Sequence, residues 1–219
     1  MIELPDFNKA FNYENNFYLS CDLKRIGKII CSYELYKIVR ELPGDIVECG
    51  VFKGISLIRL ITFRELFKNS SSKKVIGFDT FGKFPETEYS DDMELRKKFI
   101  DTAGEESISK EQLEDVIKKK GIYHNTELVK GDITETVPKY VAAHPELRIS
   151  MLHLDVDIYE PSVTVLDYLY PRLVKGGVLM LDDYGIFPGE TKAVDDYFKD
   201  KDVQILKFPF ATTPHYIIK

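Results

Sequence analysis

Two similar stretches decide the fold of this chain: MLHLDVD at residues 151–157 and GVLMLDD at residues 177–183. Each joins an apolar run, suited to a buried strand, to a pair of aspartates. The residues between the two stretches predict one helix at 161–173 with short connections. A strand–helix–strand unit of this kind requires parallel strands joined by a right-handed crossover. The two stretches therefore predict an α/β fold built on a parallel sheet.

The aspartates that end these stretches predict a ligand site. Parallel strands end at the same edge of a sheet, so Asp155, Asp157, Asp182 and Asp183 are expected to converge on the crevice where open sheets bind ligands. Four carboxylates that close repel one another unless a cation or shared protons hold them. A hard divalent ion such as Mg2+ is the simplest remedy, because it prefers oxygen ligands.

The rest of the chain repeats the alternation of strands and helices. Further strands are predicted at 45–50, 75–79, 126–130 and 149–155, helices at 54–67, 109–121, 134–143 and 190–198, and short antiparallel end strands at 203–206 and 216–218. This order predicts a three-layer α/β/α sandwich with a mostly parallel sheet and an antiparallel end strand. No repeat or long linker divides the chain, so we expect one domain over residues 1–219.

Two segments fall outside the regular alternation. Residues 1–42 predict a loose start and then a helix at 24–41, which is a helical N-terminal extension of the core at 43–219. Three roles are open for that helix: it covers an edge of the core, it closes over a substrate, or it contacts another subunit. The connection at 80–104, with a short helix near 91–99, is a possible lid, because connections of this length are usually functional or mobile.

Composition narrows the class of protein. The chain has 219 residues, 44% of them hydrophobic, and a net charge of −6, which suits one buried core and disfavours nucleic-acid binding. Its three cysteines form no metal-binding pattern, and neither a signal peptide nor an apolar run long enough to cross a membrane is present. We expect a cytoplasmic protein, and the aromatic N-terminal segment favours a homo-oligomer.

The turn after the first strand has the pattern E-x-G-x-x-x-G, from Glu48 through Gly50 to Gly54. Glycines there let a ligand approach the backbone, and the following helix offers free N–H groups. The pattern differs from the G-x-G-x-x-G dinucleotide fingerprint, because Val51 and Lys53 occupy the wrong positions. The acid suits a cationic ligand group. A tight turn without a ligand role is the alternative.

Acids also end the second and third strands. Asp79 is placed to accept hydrogen bonds from a ribose diol, with a surface acid at a strand end as the alternative. Asp132 could receive an adenine amino group while Ile133 packs on the ring, or it could cap the next helix. The two roles of Asp132 are compatible with each other.

Together these positions resemble class I S-adenosylmethionine-dependent methyltransferases, and more closely the macrocin O-methyltransferase family, which methylates sugar hydroxyls in natural products. The resemblance implies a Rossmann-like fold and spans about residues 45–198. It rests on five segments: VECGVFKG at 47–54, GFDTFGKFP at 77–85, LDVDIYEPS at 154–162, GGVLMLDDYG at 176–185 and KAVDDYF at 192–198.

The resemblance also assigns roles to residues. Glu48, Gly50, Gly54 and Ser56 are expected around the methionine part of the cofactor, Asp79 at the ribose, and Asp132 and Ile133 at the adenine. Thr80 is also expected to bind the cofactor. Asp155, Asp182 and Asp183 are expected to bind Mg2+. Asp155 and Asp157 are expected to act in catalysis, with Asp157 as the base, an added metal ligand or a support for the ligands.

The chain departs from the family pattern on the expected acceptor side. Gly82-Lys83 replaces an acid followed by glycine, and Glu190-Thr191 stands where a Cys-Arg pair is common. These departures put the identity of the acceptor in doubt more than the reaction. His153 alternates with leucines on a buried strand, so we expect a core histidine.

The main hypothesis is a Mg2+- and S-adenosylmethionine-dependent O-methyltransferase acting on a sugar or nucleotide sugar. A catechol-like phenol is an alternative acceptor, because vicinal oxygens on a metal serve both chemistries. A metal-dependent phosphohydrolase also clusters aspartates, but the first strand is not followed by an Asp-x-Asp nucleophile motif. A non-catalytic cofactor-binding subunit is the remaining alternative, and the intact set of four acids argues against it.

Overall fold

The computed structural model describes residues 2–219 and has the α/β architecture expected from the sequence. Its strands are β1 Asp45–Cys49, β2 Val75–Asp79, β3 Thr126–Lys130, β4 Ile149–Leu154, β5 Leu173–Leu181, β6 Leu206–Lys207 and β7 His215–Ile218. Its helices are α1 Ala10–Ser20, α2 Leu23–Val39, α3 Ile55–Leu66, α4 Ser90–Ala103, α5 Lys110–Lys119, α6 Ile133–Ala143, α7 Tyr159–Tyr168 and α8 Pro188–Phe198.

The strands of the described residues form one sheet in the order β3-β2-β1-β4-β5-β7-β6. The first five strands in sequence run parallel, and β7 is antiparallel to both β5 and β6. The chain proceeds from β1 outwards to β3, then returns to place β4 on the other side of β1. The carboxyl ends of β1 and β4 therefore flank a topological switch point, where open α/β sheets form their ligand crevice.

Helices cover both faces of this sheet, which confirms the predicted three-layer sandwich. On one face, Val137 of α6, Val165 of α7 and Val194 of α8 pack against the sheet in one apolar cluster. On the other face, residues of α2, α3 and α5 form a second cluster with Ile46 and Met151 of the sheet. Apolar side chains on both faces explain why the central strands are continuous hydrophobic runs.

The N-terminal extension contains more helix than the sequence indicates. The predicted helix at 24–41 is α2, and the Asp22 carboxylate caps it by accepting a hydrogen bond from the N–H of Arg25 at 3.0 Å. The expectation of a loose start is wrong, because residues 10–20 form α1. None of the residues of α1 is buried, so the apolar periodicity that reveals a packed helix is absent from it.

Several boundaries also differ from those expected. Strand β5 begins at Leu173, before the glycine pair, and β6 is confined to Leu206–Lys207 instead of 203–206. Between β2 and α5, the connection carries α4 over residues 90–103, longer than the predicted 91–99. Within residues 2–219, no helix combines the length and apolar character that a membrane span requires.

The connection at 80–104 is tied to the core by two acids. The Asp92 carboxylate accepts hydrogen bonds from the N–H of Tyr159 at 3.0 Å and of Gly189 at 2.7 Å, at the start of α7 and α8. In return, Glu160 of α7 accepts from the N–H groups of Glu88 and Tyr89 at 2.8 and 3.2 Å. These contacts join the connection to the two helices that follow the aspartate pairs.

Candidate active site

A cavity of about 790 Å3 opens at the carboxyl ends of β1, β2, β4 and β5. It brings together the glycine turn after β1, the end of β2 and the aspartates after β4 and β5. The residues singled out from the sequence that line it are Gly50, Ser56, Asp79, Thr80, Asp132, Ile133, Asp155, Asp157, Asp182 and Asp183. Glu48 and Gly54 lie behind the cavity surface and are buried.

The glycine turn is shaped first by contacts within the protein. Gly50 has a φ of 90°, and a Cβ built on it would lie 1.7 Å from the carbonyl oxygen of Asp155. Gly54 has a φ of 82°, and a Cβ there would lie 2.9 Å from Leu113. A side chain at Gly50 would thus push away the backbone that carries the first aspartate of the site. The turn and the aspartate loop can pack together only because this residue is glycine.

Behind the turn, two buried residues of β1 and β4 face each other. Glu48 and His153 are paired in the strand register, and their exposures are 0% and 1%. His153 Nδ1 lies 3.1 Å from Glu48 Oε2, while the Ser56 hydroxyl donates to Glu48 Oε1 at 2.8 Å. The Glu48 carboxylate is thereby fixed beside the turn, because Ser56 contacts one of its oxygens and His153 contacts the other.

The other side of the His153 ring faces the aspartates. Its Nε2 lies 3.6 Å from Asp182 Oδ1 and 3.8 Å from Asp155 Oδ2. Burial lowers the pKa of His153, but the adjacent carboxylates of Asp182 and Glu48 outweigh burial and raise the pKa to about 10. The sequence predicts a core histidine, and His153 is indeed buried. Its position between Glu48 and two aspartates was not visible in the alternating pattern of β4.

The carboxylate of Asp79 is occupied by the protein's own donors. Its Oδ2 accepts from the N–H groups of Val51 and Phe52 at 2.8 and 3.0 Å. Its Oδ1 accepts from the N–H of Phe81 at 2.6 Å and the hydroxyl of Ser107 at 3.2 Å. A carboxylate offers about four acceptor positions, so these bonds use all of them. The ribose role of Asp79 stays a prediction. It requires one of these donors to give up its hydrogen bond to the carboxylate.

The third strand leads into a capped helix. Asp132 accepts from the N–H and the hydroxyl of Thr134 at 2.8 and 2.7 Å and so caps α6. Ile133 next to it is 7% exposed. Both residues line the cavity together with Thr80, whose hydroxyl donates to the carbonyl of Lys83 at 3.0 Å. Contact with an adenine stays a prediction.

The four aspartates occupy contrasting electrostatic environments. Burial and the neighbouring charge of Asp182 hold the pKa of Asp155 well above its usual range. Burial and Asp183 do the same for the pKa of Asp157, which also has an unfavourable φ of 64°. Burial and Asp182 raise the pKa of Asp183 to about 6. Burial also tends to raise the pKa of Asp182, but the neighbouring His153 and Lys28 lower it overall.

This donor set fits a hard divalent cation. Among the described residues, Asp155, Asp182 and His153 each offer a ligand atom within 4.8 Å of the others, and Asp183 adds negative charge beside them. Carboxylates that repel one another favour a bound cation such as Mg2+. Lys28 and His153 relieve part of this repulsion, because they supply positive charge beside Asp182. The geometric cluster includes His153 in place of Asp183, so the predicted set of Asp155, Asp182 and Asp183 stays a prediction.

Two residues at this site were not assigned to it by sequence reasoning. The Lys28 ammonium group of α2 lies 2.5 Å from Asp182 Oδ2. Glu190 of α8, with 0% exposure, accepts from the N–H of Asp183 at 3.0 Å, and its own N–H donates to the carbonyl of Asp157 at 3.2 Å. Burial and Asp183 raise the pKa of Glu190 well above its usual range. Only the unusual position of Glu190 in the family pattern pointed to it.

A parallel sheet with this switch point and a glycine turn after β1 places the protein among the Rossmann-like α/β proteins that bind a ligand at the strand ends. The chain belongs to the macrocin-O-methyltransferase (TylF) family, because the family's model matches residues 31–208.

Relatives of known name agree with this assignment. The chain is 29% identical, over 80% of its length, to 8-demethyl-8-(2,3-dimethoxy-alpha-L-rhamnosyl)-tetracenomycin-C 4'-O-methyltransferase of Streptomyces olivaceus, of which the match spans 65%. It is 25% identical to demethyldecarbamoylnovobiocin O-methyltransferase of Streptomyces niveus, covering 90% of this chain and 73% of the relative. The match to the first of these relatives thus spans less than two thirds of that protein.

A solved structure is also similar. The calicheamicin methyltransferase CalS11 superposes with a TM-score of 0.77 at 26% identity, covering 93% of this chain and 83% of that one. The apo form of CalS11, described as a TDP-rhamnose 3'-O-methyltransferase, superposes with a TM-score of 0.69 and covers 95% of this chain and 86% of that one.

Proposed function

We propose that the protein is an S-adenosylmethionine- and Mg2+-dependent O-methyltransferase that methylates a hydroxyl group of a sugar. The observation that carries the proposal is the opening of the glycine turn and the aspartate set into one cavity. A methyl donor held at the turn would therefore face an acceptor held at the aspartates. The relatives described above are named as O-methyltransferases or methyltransferases, and the name of CalS11 includes a nucleotide-linked sugar.

The residues around the turn suit the cofactor. Glu48 places a carboxylate directly behind the turn, near the start of α3, which suits the positively charged amino group of a methionine moiety if one of the contacts of this carboxylate gives way. Ser56 holds that carboxylate, and Gly50 and Gly54 supply the bend. Asp79 and Thr80 are proposed at the ribose, and the cavity wall of Asp132 and Ile133 at the adenine.

The residues around the aspartates suit the acceptor reaction. Asp155, Asp182 and Asp183 would hold Mg2+, and the bound ion would lower the pKa of an acceptor hydroxyl while the cofactor supplies the methyl group. Asp157 is proposed to take the hydroxyl proton on its carboxylate. The new oxygen–carbon bond then replaces the sulfur–carbon bond, and S-adenosylhomocysteine leaves. Because Glu190 fixes the backbones of Asp157 and Asp183, it keeps the base beside the metal ligands.

The first test is calorimetry with S-adenosylhomocysteine, in Mg2+ and then in EDTA. Binding in the micromolar range supports the proposal and justifies a methyl-transfer assay on nucleotide sugars, simple glycosides and catechol. Transfer to a sugar that stops in EDTA and returns with Mg2+ is the expected result. The exposed Asp202 provides a control variant, Asp202→Asn, that changes one carboxylate away from the cavity.

Other results would replace the proposal. Methyl transfer to catechol alone would make the acceptor a phenol. Absence of cofactor binding in both conditions would contradict a methyltransferase, and the aspartate set would then be tested for phosphate-ester hydrolysis. Cofactor binding without transfer to any acceptor class would favour a binding subunit.

We also propose a cytoplasmic homo-oligomer. The three cysteines are free, which suits a reducing compartment. Exposed apolar side chains accumulate near the N-terminus, where Phe11, Leu19 and Leu23 are 73%, 87% and 87% exposed. Light scattering of the purified protein, compared with a Phe11→Ser, Leu19→Ser variant, measures the assembly. A monomeric wild-type protein would contradict the proposed homo-oligomer.

A further inference from the structure

Three cations line the cavity on the side formed by α2 and α3: Arg25, Lys28 and Arg59. Lys28 is paired with Asp182. Among residues 2–219, the guanidinium groups of Arg25 and Arg59 have no carboxylate oxygen within 4.0 Å, although acids outnumber bases in this chain. Two guanidinium groups on the cavity wall are therefore available to a ligand.

Arg59 is the more informative of the two. It is half-buried, and its guanidinium NH1 donates a hydrogen bond to the Ser32 hydroxyl at 3.1 Å. A guanidinium has five N–H donors, so most of them have no acceptor among the described residues. Acids of the site act on its charge from a distance, Glu48 most strongly, but no carboxylate oxygen lies within 4.0 Å of the guanidinium group. An anion in the cavity would pair with it directly.

The positions of the cations indicate where this anion would lie. Lys28 marks the metal-binding edge, because it contacts Asp182. Arg25 lies three residues before Lys28, about one turn or 4.5 Å further along α2. Ser32, to which Arg59 is bonded, lies one turn beyond Lys28 in the opposite direction. If the hydroxyl of an acceptor reaches the aspartates, the rest of the acceptor would therefore lie beside the guanidinium groups of Arg25 and Arg59.

We infer that the acceptor is a sugar bearing a phosphate or diphosphate, as in a nucleoside diphosphate sugar, and that Arg25 and Arg59 bind its anionic group. This inference rests on the proposed function and adds the chemical class of the acceptor. Guanidinium groups match phosphate oxygens with paired hydrogen bonds, which an ammonium group does not. An uncharged glycoside would leave both arginines unpaired.

The cofactor provides a second possible anion, because its methionine moiety carries a carboxylate and Arg59 lies on the helix that follows the glycine turn. The test therefore measures both ligands. Calorimetry is carried out with uridine diphosphate and, separately, with S-adenosylhomocysteine, in EDTA so that metal–diphosphate complexes do not form. The proteins are wild type, Arg25→Gln, Arg59→Gln and the control Lys24→Gln, which removes an exposed cation of α2 outside the cavity lining.

We expect uridine diphosphate to bind the wild type and to lose about tenfold or more in affinity in each arginine variant, with little change for S-adenosylhomocysteine. Lys24→Gln should retain both affinities. Arg59→Lys should recover part of the affinity if Arg59→Gln folds poorly, and exposed Arg25 provides an independent test.

The results that would contradict the inference differ from the result that would contradict the proposed function. Equal affinity for uridine diphosphate in wild type and both arginine variants overturns the inference. Loss of S-adenosylhomocysteine binding alone in Arg59→Gln assigns Arg59 to the cofactor carboxylate and also overturns it. A methyl glycoside that is methylated as efficiently as a nucleoside diphosphate sugar shows that no anion is required. If the wild type fails to bind S-adenosylhomocysteine, the proposed function fails, whatever the result with uridine diphosphate.

Discussion

His153 lies directly opposite Glu48 across the β1–β4 pair, and its imidazole joins that carboxylate to the aspartates at the strand ends. One buried ring thus contacts the acid assigned to the methyl donor and two acids assigned to the metal. The three carboxylates raise the pKa of the ring to about 10, which favours its positively charged form. The two halves of the proposed reaction centre share this residue.

Replacing His153 with leucine should therefore disturb both halves. The change leaves the fully buried Glu48 without its positive partner, and breaking a buried ion pair in this way costs about 3–5 kcal/mol of folding free energy. We expect a lower melting temperature, weaker binding of S-adenosylhomocysteine and a changed affinity for Mg2+ by calorimetry, because the substitution also removes a positive charge beside Asp155 and Asp182. His144→Leu, at the end of α6 and away from the cavity, is the control. Loss of stability with both affinities intact would reduce His153 to a packing residue.

Asp182→Asn should separate the metal from the methyl donor. Asp182 contacts Lys28 and His153, and neither of them is assigned to the cofactor ribose or adenine. We expect S-adenosylhomocysteine affinity within about twofold of wild type, and turnover that no longer responds to Mg2+. Asp155→Asn should behave alike, and Asp202→Asn should resemble wild type. Turnover equal to wild type with the metal chelated would falsify the metal mechanism.

Asp79→Ala tests whether Asp79 organises the turn or binds the ribose. The substitution removes the hydrogen bonds that hold the turn to this carboxylate, so we expect a loss of roughly 3 kcal/mol in stability and weaker cofactor binding. Ser107→Ala removes one of these bonds and frees an acceptor position on Asp79. If the ribose uses that position, Ser107→Ala should bind S-adenosylhomocysteine as tightly as wild type or more tightly. Unchanged cofactor affinity in Asp79→Ala would exclude the ribose role.

The sequence could predict the sheet edge because the relevant information is local. Apolar runs that end in aspartates, such as 151–157, indicate both a buried strand and the point where it ends. Parallel pairing then brings such ends together without knowledge of side-chain contacts. The three-layer fold and the shared cavity of the glycine turn and the aspartates follow from the same reasoning.

The missed features depend on contacts between distant segments. Lys28 and Asp182 are separated by 154 residues, and nothing in the period of α2 distinguishes Lys28 from its solvated neighbours. Glu190 and Asp92 are buried acids in polar stretches, where charged residues are normally exposed. Helix α1 was missed for a different reason, since it buries no side chain and its sequence has no apolar stripe.

Asp92 links the connection at 80–104 to the aspartate loops, so this connection also helps to hold those loops in place. Its carboxylate holds the first N–H groups of α7 and α8, directly after the loops of Asp157 and Asp183. Asp92→Ala should cost about 2 kcal/mol in stability and lower kcat more than it changes S-adenosylhomocysteine affinity. Hydrogen exchange should accelerate in residues 87–103 and at the starts of both helices. Asp92→Asn, which keeps an acceptor oxygen, should recover part of the loss.

Gly50, which contacts the backbone of Asp155, should be the position of the site that tolerates substitution least. In Gly50→Ala, the new Cβ would meet the Asp155 carbonyl oxygen at 1.7 Å, so either the turn or the aspartate loop must move. We expect a destabilisation of more than about 4 kcal/mol, or protein that does not fold. Gly121→Ala is the matched control, because Gly121 also has a positive φ, of 68°, but a Cβ added there would meet no atom of residues 2–219 within 4 Å. It should cost only about 1 kcal/mol, from backbone strain alone. Similar melting temperatures for the two variants would show that backbone conformation, and not the close approach of the aspartate loop, is what requires glycine at position 50.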